Sequence, residues 1–192
     1  MGMNRDELRG WLHKHTPIDQ HEERCLTQVI SALGIPGDCF SKLCFEPGHI
    51  TASAFVLSPD QQQMLLISHR DFGQWMQPGG HLDPKDIDTF NAAKRELEEE
   101  AGLTDLVQPD WAQGILDVDV HNVPAGMKRN EPAHKHFDIR FAFSAISLQV
   151  QAASDAKDAR WFSIEHLVRD PATDASVRRA AVRIQTLAPT QA

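Results

Sequence analysis

The stretch from Asp88 to Gly102, DTFNAAKRELEEEAG, restricts the fold of this chain more than any other. It predicts a helix from about Asp88 to Ala101, ended by Gly102. Successive side chains on a helix step by roughly 100° around the axis. Phe90, Ala93, Leu97 and Ala101 then share one arc, which must lie against a core. Glu96, Glu99 and Glu100 share a neighbouring arc, and Glu98 points away from all three. Like charges on adjacent turns repel by roughly 0.2–0.5 kcal/mol per pair, and the only nearby cations are Lys94 and Arg95. Three converging carboxylates suit a hard divalent cation. On spacing alone, a merely solvated acidic face stands ahead of that reading.

Composition narrows the partners. At 192 residues, with 41% hydrophobic and 24% charged content, the chain suits one soluble domain with a terminal extension. No stretch approaches the roughly 20 apolar residues of a membrane helix, and the N-terminus lacks a secretory pattern. No membrane partner is expected. Cys25, Cys39 and Cys44 are odd in number and lack CxxC spacing, which argues against a disulfide framework or a cysteine zinc site. A cytoplasmic location is the expectation. The net charge of -8 argues against binding polymeric nucleic acid, yet leaves small nucleotides open as ligands.

Along the chain, Leu8, Trp11 and Leu12, then Leu26, Val29, Ile30 and Leu33, mark two helices within the first 34 residues. Asp19 and Glu22 form the sequence pattern of a capping box for the second, and Gly34 fits its end. ITASAFVLSPDQQQMLLISH reads as strand, turn, strand, and DFGQWMQPGGHLDPKD as a loop. Alternation in GILDVDVH puts Asp117, Asp119 and His121 on one face, and in HFDIRFAF it puts Asp138 and Arg140 opposite Phe137, Ile139, Phe141 and Phe143. ARWFSI is a last short strand, followed by helical segments near 164–168 and 174–187. Strands and helices mix without regular alternation, which predicts an α+β or mixed-sheet sandwich.

GGHLDPKDIDTFNAAKRELEEEAGL (Gly79 to Leu103) resembles the Nudix box, the signature of the Nudix hydrolases. Gly80 opens the pattern, and Arg95, Glu96, Leu97, Glu99, Glu100, Gly102 and Leu103 fill its second half in register. The spacing between Gly80 and Arg95 is one residue longer than the family pattern, with Asp86 or Asp88 standing in for the first glutamate. MLLISHRDFGQWMQPGG and DARWFSIEHL resemble the flanking segments of that family. The resemblance implies a Nudix-type α/β/α sandwich with a mixed β-sheet over residues 49–192, preceded by a helical extension over 1–48. That extension would cover the domain, build a homodimer or shape the pocket.

The resemblance also implies chemistry: a metal-activated water attacks phosphorus in a nucleoside diphosphate linked to another group, with Mg²⁺ or Mn²⁺ as cofactor. Glu96, Glu99, Glu100 and the backbone carbonyl of Gly79 would hold the metal. Arg95 would orient Glu96, and the general base would be Glu96, Glu100 or, from outside the box, Asp138. His81, Lys128, Arg129 and His136 are the expected substrate contacts, although the loop from His121 to His136 reads equally as an ordinary exposed one. His134 and His136 share a strand face, but a zinc site there lacks a third ligand nearby in sequence. Asp117 and Asp119 are expected on a solvated strand face, or else as outer carboxylates of the metal site. Trp75 is expected as a core or loop anchor. The markers of particular substrate classes are missing, since the chain has no tyrosine and residues 116–119 lack a proline. A catalytically silent nucleotide sensor with the same fold would typically lose box carboxylates, which this chain keeps. An isopentenyl diphosphate isomerase would need a cysteine after an early strand, whereas Cys39 and Cys44 precede the first strand.

Overall fold

Strand β1 (His49–Leu57) is buried at every position, so it must be covered on both faces and paired on both edges. The computed structural model describes residues 4–70, 73–126, 131–154 and 156–188. Before β1 come helices α1 (Arg5–Lys14) and α2 (Gln20–Leu33). After it follow β2 (Gln63–His69), β3 (Trp75–Met76), β4 (Gly79–His81), α3 (Thr89–Ala101), β5 (Leu106–Val107) and a 3₁₀ turn at Asp110–Ala112. The chain continues through β6 (Asp117–Val123), β7 (His134–Ala145), β8 (Ala156–Ser163), α4 (Ile164–Arg169) and α5 (Ala175–Leu187).

One edge of β1 pairs antiparallel with β2 at Val56 and Leu57 and with β4 at Thr51 to Ser53. Its other edge pairs in parallel with β7 along its whole length. β5 and β6 then pair antiparallel with β7, and β3 and β8 with β2. This is a mixed sheet. Because side chains alternate between faces, Ile50, Ala52, Ala54 and Val56 of β1 lie on one side with Phe137, Ile139, Phe141 and Phe143 of β7. Helices α1, α2 and α3 cover that side through Leu12, Val29, Leu33, Ala93 and Leu97. Phe55, Leu57 and Ala142 lie on the other side, under Leu167 of α4 and Val177, Ala181 and Ile184 of α5. The result is the α+β sandwich with N-terminal helices that the sequence predicts. Among the described residues no helix is long and apolar enough to cross a membrane.

Three local expectations change. The predicted loop over 71–86 contains β3 and β4, because the open edges of β2 and β1 supply partners that no local signal reveals. Within it Trp75 is an anchor, packed edge-on against Phe162 with ring centroids 5.0 Å apart. Asp19 does cap α2, accepting the Glu22 N–H at 2.8 Å. The return half of the capping box is missing, because the Glu22 carboxylate turns inward. It accepts the backbone N–H groups of Ile18 (2.7 Å) and Val118 (3.1 Å) and meets His15 and Arg183, each at 2.6 Å. Finally, Asp117 and Asp119 are not solvated: they are 0% and 5% exposed. Helices α2 and α5 close over their end of the sheet and bring His21 and Arg179 onto them.

Candidate functional site

Helix α3 is held by its ends and one apolar stripe. Asp88 caps it, accepting the Asn91 N–H at 2.7 Å. Gly102 ends it at φ +66°, a left-handed conformation that glycine adopts without the Cβ clash other residues suffer. Ala93, Leu97 and Ala101 are buried, and Phe90 packs edge-on against Phe141 at 5.3 Å. That docking fixes the rotation of the acidic arc. Glu98 points into solvent, Glu99 is exposed beside Arg95, Glu96 is half-buried, and Glu100 is only 4% exposed.

Arg95 organises this arc. Its Nε and Nη2 donate to both oxygens of Asp86, each at 3.1 Å. Nη1 donates to Glu96 Oε1 and Glu99 Oε2, and Nη2 to the His81 carbonyl, all at 2.9 Å. A guanidinium has five N–H donors, and these five bonds engage all of them. Asp86 is therefore the upstream carboxylate that partners the box arginine, while Asp88 is spent on capping. Burial raises the pKa of Glu96 above the ordinary carboxylate value, with Arg95 pulling the other way.

The two box glycines are needed for space. A Cβ on Gly80 would fall 2.8 Å from Glu96 Oε1. On Gly79 it would fall 2.3 Å from the Ser53 Cβ and 2.7 Å from the Ala52 carbonyl oxygen, contacts that real Cβ atoms do not make. The Gly79 N–H donates to Glu100 Oε2 at 2.9 Å, which ties strand β4 to the helix. Gly79→Ala is expected to destabilise the protein by about 1–3 kcal/mol through overpacking and to loosen Glu100. Gly10→Ala meets nothing within 4 Å and serves as the control in a thermal melt.

The opposite face of β4 looks onto a polar band. Strand register aligns His121, His136 and His49 in one row; Asp119, Asp138, Thr51 and His81 in the next; and Asp117, Arg140, Ser53 and Gly79 in the third. Arg140 is fully buried and donates to Asp138 (2.8 Å), Asp119 (3.0 Å) and Asp117 (3.1 Å). Arg179 adds a second guanidinium to Asp117 and Asp119. Burial pushes the Asp117 carboxyl up to about 6 against the pull of Arg140 and Arg179. Asp119 is held well below the usual range: burial opposes this, but His121, with Nδ1 3.6 Å from Oδ2, and Arg140 outweigh it. Asp138 also accepts the hydroxyls of Thr51 (3.0 Å) and Ser53 (2.7 Å). With Arg140 on the same carboxylate, Asp138 has the surroundings of a structural anchor and is separate from the carboxylates of α3.

The expected substrate contacts divide. Lys128 and Arg129 lie outside the described residues. Lys135 turns to α2, where its Nζ donates to Gln28 at 3.0 Å. His81 and His136 come together, with ring centroids 5.2 Å apart, and His49, His121 and His134 join them. Burial, with His49, His121, His81 and His134 around it, pushes His136 down to about 2, which favours the neutral ring. His49 went unremarked in the sequence, because only the parallel pairing of β1 with β7 sets it beside His136. Elsewhere, a cavity lined by Trp11, Phe90, Trp111, Phe141 and Arg183 contains none of the box carboxylates.

Comparison with known proteins agrees with this geometry. The NUDIX domain model matches residues 47–183. A protein of Lactococcus lactis subsp. cremoris (strain MG1363), "Probable DHNTP pyrophosphohydrolase", is 26% identical over 104 residues, covering 54% of this chain and 58% of its own length. The chain thus spans less than two thirds of that relative. The MutT protein from Methanosarcina mazei Go1 superposes with a TM-score of 0.54 at 22% identity, over 71% of this chain and 92% of that one. A NUDIX-family hydrolase from Clostridium perfringens superposes with a TM-score of 0.52 at 21% identity, over 73% and 98%. At these identities the solved structures establish the fold alone.

Proposed function

This chain belongs to the Nudix hydrolase family, and on that footing we propose that it is a divalent-metal-dependent pyrophosphohydrolase acting on a nucleoside diphosphate joined to a further group. The observation that carries the reading is that Arg95, with every donor committed, holds Glu96 and Glu99 together with Asp86 while the Gly79 N–H holds Glu100 one turn along. The name of the Lactococcus protein supports the bond class, a pyrophosphate.

The donor set fits a hard ion, since carboxylate and carbonyl oxygens suit Mg²⁺ or Mn²⁺. Glu96, Glu99, Glu100 and the Gly79 carbonyl would hold it, and when bound it neutralises phosphate charge and lowers the pKa of water. The protein's own part is positional. Arg95 fixes the Glu96 and Glu99 carboxylates through charge-assisted bonds. The Gly79 N–H holds Oε2 of Glu100, which ties that carboxylate to strand β4. Glu96 or Glu100 takes the proton from the attacking water. Asp138 is not carried forward as the base, because Thr51, Ser53 and Arg140 already hold its carboxylate.

The test is a panel of nucleoside diphosphate sugars, dinucleotides, oxidised nucleoside triphosphates and coenzyme A, each incubated with Mg²⁺, with Mn²⁺ and with chelator. Cleavage of at least one compound at its diphosphate, abolished by chelator, is the expected result. A folded protein that cleaves none of them with either metal overturns the reading.

A further inference from the structure

Three histidines far apart in the chain meet on the polar band. His49, His81 and His136 each offer a ring nitrogen within 4.8 Å of those of the other two. They come from β1, β4 and β7, and their ring centroids lie 4.7–5.2 Å apart. Imidazole nitrogens sharing one zinc ion stand about 3.3 Å apart, given Zn–N bonds of about 2.0–2.1 Å in a tetrahedron. Small side-chain rotations close that difference.

The ring positions are supported as ligand positions are. His49 is 1% exposed, and the hydrogen bond from its Nδ1 to the Cys44 carbonyl at 3.1 Å leaves the lone pair on Nε2. Among the described residues that buried Nε2 meets no hydrogen-bond partner. A buried polar atom left unmatched costs about 1–3 kcal/mol, so such an atom calls for an occupant. A carbonyl on one ring nitrogen and an open lone pair on the other is how metal-bound histidines are held. His134 supports His136 in turn. The His134 Nδ1–H donates to the Pro132 carbonyl at 2.8 Å, so its Nε2 accepts from His136 Nε2 at 3.2 Å. His136 then keeps its lone pair on Nδ1.

We propose that His49, His81 and His136 bind one transition-metal ion of the zinc class, at a site separate from the box carboxylates and with a fourth position open to water. All three donors are imidazoles, which suit zinc, copper, iron and nickel, whereas Mg²⁺ and Mn²⁺ favour the oxygens of α3. Strand β4 divides the two sites: Gly80 faces Glu96, and His81 faces the other histidines. A second group, His21, Cys25 and Asp119, also lies close enough to share an ion. Its carboxylate is already engaged by Arg140 and Arg179, so it is set aside.

The test uses chelator-treated full-length protein titrated with Co²⁺ in excess Mg²⁺, followed by visible absorption and by displacement with Zn²⁺. One equivalent of Co²⁺ with ligand-field bands, displaced by Zn²⁺, is expected. His49→Gln, His136→Gln and the partly buried His81→Ala should each weaken Co²⁺ binding by about a hundredfold or more, and Glu99→Gln should leave it unchanged. Equal affinity in the histidine variants, or loss in Glu99→Gln, overturns the proposal. Zinc-edge X-ray absorption of the wild-type protein decides the matter even if a variant fails to fold. Imidazole scattering sustains the site, and an oxygen-only shell overturns it. Metal affinity is the readout throughout, so the outcome is independent of whether the protein cleaves diphosphates.

Discussion

Glu100→Gln is expected to lower Mg²⁺-dependent diphosphate cleavage by about 10²–10⁴-fold while leaving the protein folded. The two effects separate because the amide oxygen of glutamine can still accept the Gly79 N–H, now held at 2.9 Å. What disappears is the negative charge, and with it the metal ligand and candidate base that the proposed function assigns to Glu100. Glu100 is 4% exposed, so its carboxylate faces inward and not the solvent side of the helix. Glu98→Gln, on the solvent side of the same helix, should leave turnover unchanged. Measuring kcat and Mg²⁺ affinity for both variants, with circular dichroism as the check on folding, tests the assignment. Full turnover in Glu100→Gln would remove this residue from the chemistry, and equal losses in both variants would point to helix stability instead.

The second large effect concerns stability. Arg140 joins Asp117, Asp119 and Asp138 in a region where it is 2% exposed and they are 0%, 5% and 2% exposed. Replacing it with methionine keeps much of the volume but leaves three buried carboxylates with Arg179, His21, His121 and hydroxyl groups to answer them. Removing one partner of a buried ion cluster typically costs about 3–5 kcal/mol. For a chain of this size that corresponds to a melting point lower by roughly 6–20 °C. Adding Asp138→Asn to Arg140→Met should recover part of the loss, since Arg140 is the cation on Asp138 among the described residues whereas Asp117 and Asp119 keep Arg179. A single variant that melts with the wild-type protein would mean that water reaches these acids.

The box helix was legible because its determinants are local. Spacing around the axis separated Glu98 from Glu96, Glu99 and Glu100, and the Asp88 and Gly102 ends needed no tertiary information. The α+β class was legible for the same reason, from alternation in β6 and β7 and the apolar stripes of α1 and α2. What escaped was everything set by pairing between distant strands. Asp117 and Asp119 read as wet because alternation shows which face a residue takes but not what covers that face. The covering groups, Arg179 on α5 and His21 on α2, lie 62 residues after Asp117 and 98 before Asp119. His134 and His136 lacked a third histidine in sequence, yet register supplied both His49 and His81. The role of Asp86 was open until the side chain of Arg95 was seen to grip it at both oxygens.

The Glu22 carboxylate has a consequence for where this molecule can be cut. It joins α2 to the backbone of β6 and to Arg183 of α5, a residue 161 positions away. The stretch that carries the family likeness, 47–183, excludes Glu22 but includes Arg183. A fragment trimmed to the recognisable family segment would therefore strand a buried guanidinium and an unmatched Val118 N–H, and would bare the apolar faces that Leu12, Val29 and Leu33 cover. Kinship and packing have different borders in this protein: the portion that identifies it is smaller than the portion that closes its core.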